Sequence, residues 1–218
     1  MIARVDSRRA GVVDSGRRGV LAAVAVAPLV AGLGACALGR APTLEYHPLR
    51  DASETGGRPS AAPATPAVDK VLLLASGGVP TLYDTDRMVF SRDGSSLSYF
   101  QYGRWTQAPA KSLLALTEQR LSASGLYRNV ALSTSGVRGN RLLTLSLQAL
   151  YLDEFVNPAE ARLSFDVELL DWQQRSLIAR QRFSRKQPVT ASTASGLAQA
   201  AALATGTLLD ELVAWLAA

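Results

Sequence analysis

The sequence predicts an α+β domain, a mainly antiparallel sheet with two helices packed on one face. Three observations predict it. Period-two alternation recurs at 141–152 and 163–169; apolar residues at steps of three and four mark 109–125 and 193–218; and the order along the chain is strands, helix, strands, helix.

Taken in order, TLEYHPL at 43–49 reads as a short edge strand that Pro48 limits. DKVLLLA follows at 69–75, where the unbroken run Val71–Leu74 has strand length and suits a strand covered on both faces. PTLYD at 80–84 is a second short strand candidate, and RMVFSR at 87–92 a third, closed by the turn signal Asp93-Gly94. SLSYFQY at 96–102 is aromatic-rich and extended. Pro109 then opens a helix with Leu114, Thr117 and Leu121 along one face, Leu113 beside them, and Gly125 as its stop. After YRNVALS, Leu143, Leu145, Leu147 and Ala149 alternate with Thr144, Ser146 and Gln148, and Leu163 to Leu169 alternate more cleanly still. DWQQR at 171–175 is short enough to turn a hairpin into SLIARQRFS. A C-terminal helix places Leu197, Ala201, Ala204, Leu208, Leu212 and Trp215 on one stripe, mildly weakened by Gly206.

The N-terminal third differs. Five arginines stand against two aspartates in the first 18 residues, and the 17 residues Gly19–Ala35 carry no charge. A basic region followed by an apolar one with small residues at its end is an export signal. A retained membrane span is the alternative, although Pro28 and the glycines leave the run at the short limit of bilayer thickness. Leu33-Gly34-Ala35-Cys36 is similar to a bacterial lipobox, with cleavage between Ala35 and Cys36 and a diacylglyceryl group on the thiol. Cys36 is the single cysteine, so no disulfide framework exists. Two or more acyl chains give stable attachment where one is marginal.

Removal of the signal changes the charge reading. The whole chain has 23 basic and 18 acidic side chains; residues 1–35 hold five and two of these, leaving 18 against 16. A near-neutral mature chain argues against nucleic acid as a partner. RQRFSRK at 180–186 is the one basic cluster, and on a strand Arg180, Arg182 and Lys186 share a face. Residues 36–67 are rich in Pro, Ala and Gly and read as a flexible tether of about 30 Å root-mean-square reach, apart from the strand at 43–49. The domain proper is assigned to 68–218.

Catalytic and metal sites are not legible. His47 is the lone histidine, without the partners that a triad or a zinc centre requires. There is no GxxxxGK[ST] loop, and SGGV at 76–79 reads as a turn. Asp153, Glu154 and Glu160, like Asp84 and Asp86, fall in loops with no apolar pocket to perturb them. No cofactor is implied. The conspicuous cluster is aromatic and basic: Arg87, Tyr99, Phe100, Tyr102, Arg104 and Trp105, with Tyr83 near. These form either an anchor patch for a partner or lipid, or core packing centred on Trp105.

The stretch 80–121 carries a resemblance on particular residues: Pro80, Leu82, an acidic residue at Asp84 or Asp86, Arg87-Met88-Val89-Phe90, Tyr99, Arg104-Trp105, Pro109, Leu113 and Leu114. With the lipobox and Tyr46–Leu49, it resembles the ABC-type transport auxiliary lipoprotein family, the PqiC-like group. The resemblance implies a non-enzymatic envelope lipoprotein that accompanies an ABC permease, its ATPase and an MCE-domain periplasmic protein, together moving phospholipid or other apolar molecules. Ala37 after the lipidated cysteine favours, by analogy with lipoprotein sorting, the periplasmic side of the outer membrane. Self-association stays open. The alternative is a lipoprotein whose own domain shields an acyl chain.

Overall fold

The computed structural model describes residues 43–55 and 68–218, which fall in one unit, Thr43–Ala218. Eight strands form one mixed sheet: β1 (Glu45–His47), β2 (Val68–Ser76), β3 (Arg87–Ser91), β4 (Ser98–Trp105), β5 (Tyr127–Leu132), β6 (Arg141–Asp153), β7 (Glu160–Asp171) and β8 (Ser176–Pro188). A single helical turn α1 (Ala52–Thr55) and two long helices, α2 (Pro109–Ser124) and α3 (Ala194–Ala217), complete the fold.

The spine is the antiparallel meander β6–β7–β8. Its ladders run nearly the whole length of each strand. The free edge of β6 is shared by two strands lying end to end: β2 pairs with Arg141–Leu145 and β3 with Leu152–Asp153, both in parallel. From there the sheet forks. β5 adds to β2 in parallel, while β4 adds to β3 antiparallel and β1 adds to β4 in parallel. Residues 77–86 arch between the branches, so PTLYD is a hydrogen-bonded turn, with Tyr83 N–H on the Pro80 carbonyl at 2.8 Å, and not a strand.

Alternation explains the packing. Leu143, Leu145 and Leu147 of β6 point to the helices, and so do Ala161, Leu163, Phe165 and Val167 of β7. At Gln148 the β6 ladder slips by one residue, so the inward phase passes to Leu150 and Leu152 and Ala149 is only partly buried. A bulge inserts one unpaired residue and reverses which parity faces the core. Leu72 and Leu74 of β2 join the same core, whereas Leu73, 3% exposed, is covered by the Gly139 segment on the other face.

The helices form where the sequence places them. Pro109 opens α2, and Gly125, at φ +63°, closes it in the left-handed conformation that glycine adopts without steric cost. Its buried face is Leu113, Thr117, Arg120, Leu121 and Ser124, with Leu114 half-buried beside it. The Thr193 hydroxyl caps α3 by accepting from Gly196 N–H at 3.1 Å. Leu197, Ala201, Ala204, Leu208 and Leu212 are fully buried, and Trp215 meets Phe183 edge-on at 6.0 Å. By length and composition α3 could cross a membrane, but its apolar stripe is the domain core.

The segment before the long strands is held as firmly. β1 lies along β4, Leu49 is buried in the core, and Asp51 is buried against α2 and α3. Within the stretch read above as a tether, 36–67, residues 43–55 are therefore packed on the domain.

Candidate functional site

Two of the sequence-singled residues are brought together as a surface pair. The Arg87 guanidinium lies 3.8 Å from the centroid of the Tyr99 ring, whose hydroxyl donates to the Leu82 carbonyl at 3.3 Å. Such a contact at an exposed site contributes about 0.5–1 kcal/mol. Phe100 is half-buried and tilts against Phe90 at 4.9 Å.

The rest of the cluster is explained by one irregularity of β4. Val89 pairs with Tyr99 and Arg87 with Arg104, so Met88 alone opposes Phe100–Gly103. This wide bulge would orphan several carbonyls. Arg104 collects them: its Nη1 donates to the Phe100 and Gly103 carbonyls at 2.9 Å and to that of Gln101 at 3.4 Å. Trp105, 1% exposed, points into the core, and Gly103 lets α3 approach, since a Cβ there would stand 2.5 Å from that of Ala194. Of the six residues, Arg87 and Tyr102 are exposed, the latter by 38%. Tyr83, beneath the arch, is buried; burial and neighbouring Tyr151 push its hydroxyl up to about 12.

Of the carboxylates singled out above, Asp153, Glu154 and Glu160 are taken by arginines. Arg162 reaches Asp153 at 2.8 Å and Glu160 at 3.1 Å, and Arg92 lies 3.4 Å from Glu154. The basic run on β8 is likewise paired across to β7. Arg182 holds Asp166 through two bonds, at 2.6 and 2.7 Å, and Arg180 holds Glu168 at 2.5 Å. The bidentate Arg182 keeps the Asp166 carboxyl below its ordinary range. A ladder so compensated leaves little field for a polyanion. His47 Nε2 sits 3.6 Å from Glu45, and among the described residues no group of three His, Cys, Asp or Glu could hold a metal ion.

At the lower end of the meander, the β7–β8 hairpin is exposed and apolar. Trp172, Leu177 and Ile178 are 49%, 53% and 44% exposed. Its turn is rigid: the Asp171 carboxylate accepts the Gln174 and Gln173 N–H groups at 3.0 and 3.1 Å, which lowers its pKa, and Arg175 takes φ +54°. Sequence reasoning treated DWQQR only as a connection; the missed signal was SLI, where an edge strand breaks alternation with two adjacent large apolar residues.

A family model described as "ABC-type transport auxiliary lipoprotein component" matches residues 53–213. The chain belongs to this family. Among solved structures, a Xanthomonas campestris protein of the DUF330 family shares the fold at a TM-score of 0.67 and 20% identity, covering 79% of this chain and 94% of its own. A second, titled only as an uncharacterized protein, gives 0.57 at 12% identity, covering 80% of this chain and 97% of its own. Among curated proteins none matches. As an ABC-type transport auxiliary lipoprotein component, the chain takes part in a transport system. The residues read above as export signal, cleavage site and lipid anchor, Ala35 and Cys36 among them, lie outside the described residues.

Proposed function

We propose that this auxiliary lipoprotein is a non-enzymatic docking module. Acyl chains on Cys36 hold it at the periplasmic side of the outer membrane, and its domain engages the MCE-domain periplasmic component of an ABC system that moves phospholipid or other apolar molecules. The permease and ATPase belong to the same system. The observation that carries this reading is the rigid hairpin end: Trp172, Leu177 and Ile178 stand exposed beside a sheet face whose charges are already paired. Trp is among the residues most enriched at binding hot spots. The neutralised carboxylates support the absence of catalysis, since general acid–base work needs a carboxyl poised by a pocket.

The test is a photo-crosslinking amino acid placed at Trp172 in cells, with Leu203, equally exposed on α3, as control. The MCE-domain protein is expected from position 172 and not from 203. Its absence at 172, or equal yield from both, removes the docking reading.

A further inference from the structure

We infer that the opposite end of the sheet rests on the bilayer that holds the lipid anchor, inserting exposed apolar side chains among the headgroups; this rests on lipidation of Cys36 as proposed above. The argument begins with chain length. Cys36 and Thr43, where the packed unit begins, are seven residues apart. Whatever its conformation, seven residues span at most about 25 Å. The 30-odd residues of the compositional tether do not set the reach, because β1, Leu49 and Asp51 fix 43–55 to the domain.

Strand direction then tells which end faces the membrane. β1 runs parallel to β4 and pairs with its last residues, Gly103–Trp105, so the chain before Glu45 points back along β4 toward the β3–β4 turn. β3 and β6 finish at the same end, with Ser91 beside Asp153, so the β6–β7 connection is there too. The two loops touch: the Phe155 ring packs against Gly94, and Arg92 pairs with Glu154. This end carries Leu97 at 41% exposure and Phe155 at 66%, and the adjoining β1–β4 edge carries Leu44 at 51%, Tyr102 at 38% and, farthest from the turn and level with Arg87, Tyr46 at 59%.

In the β1–β4 register Leu44 falls beside Tyr102, and Tyr46 pairs with Arg104, so the aromatic rings and Leu44 form one edge. Tyrosines, Leu and Phe are the residues that lie well at a membrane interface, apolar body down and hydroxyl in the headgroups. The hairpin with Trp172 sits at the other end of β6, about 40 Å away for a 13-residue strand. An anchored domain lying this way presents its hairpin to the periplasm.

Thiol chemistry gives the experiment. Once acylated, Cys36 has no free thiol, so a cysteine introduced into the full-length lipoprotein is the only site for a thiol-reactive fluorophore. Phe155→Cys and Trp172→Cys replace exposed side chains and leave the core intact. Each protein, taken from membranes and labelled, is reconstituted into phosphatidylethanolamine and phosphatidylglycerol vesicles carrying nitroxide lipid. Quenching several-fold stronger at 155 than at 172 is expected. Equal quenching, or stronger quenching at 172, overturns the orientation while leaving the anchor in place. Labelling of the parent protein at Cys36 is a different failure, since it removes the lipidation on which both readings stand.

Discussion

Arg120→Met tests how the chain ahead of the long strands is fixed. Arg120 is 6% exposed and donates from Nη2 to Asp51, whose side chain is wholly buried, and from Nη1 to Asp210, which is 63% exposed. Without the guanidinium, Asp51 keeps only the Ser53 N–H at 3.0 Å and the Ser53 hydroxyl at 2.5 Å. Asp210 simply returns to water. Removing one partner of a buried ion pair costs about 3–5 kcal/mol, most of it the stranded charge. Asp51→Ala is milder, about 1–3 kcal/mol, because Arg120 keeps Asp210. The double variant is expected to lose less than the two single losses together, since nothing charged is then stranded. Equilibrium urea unfolding in mild detergent, followed by tryptophan fluorescence, reads this directly: with a slope of about 1–3 kcal/mol per molar, the Arg120→Met midpoint falls by about 1 M or more. Hydrogen exchange over β1 is expected to quicken in step, because the pair ties Asp51 to both long helices. An Arg120→Met midpoint within about 0.3 M of the parent, or strict additivity in the double variant, refutes the reasoning.

Three further outcomes follow from the packing. Trp172→Ala is expected to change stability by no more than about 0.5 kcal/mol, as for an exposed residue, yet to weaken MCE-partner capture at least about tenfold; a stability loss with capture intact contradicts the docking role. Gly103→Leu must displace Ala194 at the start of α3 and is expected to cost about 1–3 kcal/mol, read as a lowered thermal midpoint, whereas Gly78→Leu, with open space around its Cβ, is expected to be far milder. Tyr83 has a folded pKa of about 12 against an ordinary value of 10.0, so the unfolded chain releases that proton first. Stability is thus unaffected by this group below pH 10 and falls as pH rises from 10 toward 12; Tyr83→Phe is expected to flatten that fall in alkaline melts.

The helices and the meander were legible because their signals are local. Gly125 stops α2 by its own backbone freedom, and Leu163 to Leu169 alternate whatever lies across from them. What depended on distant partners was not legible. Two strands sharing one edge of β6 is a matter of non-local parallel pairing, and the slip at Gln148 shows only in the ladder, though Leu147, Leu150 and Leu152 already break period two. Asp51 and Arg120 are 69 residues apart, so a buried pair between them has no sequence signature. Gly206 looked like a flaw in α3; it is where the Asp51 carboxylate comes within 3.0 Å of a would-be Cβ. The aromatic cluster was rightly suspected of packing at Trp105, while the role of Arg104 was hidden because a wide bulge cannot be read from β4 alone.

Everything proposed about location and docking depends on Cys36, and the mass of the protein extracted from native membranes tests it most directly. The account predicts a chain that begins at residue 36 and carries the added mass of a diacylglyceryl group with its fatty acyl chains. A chain still beginning at Met1, or one with an unmodified thiol at 36, contradicts it.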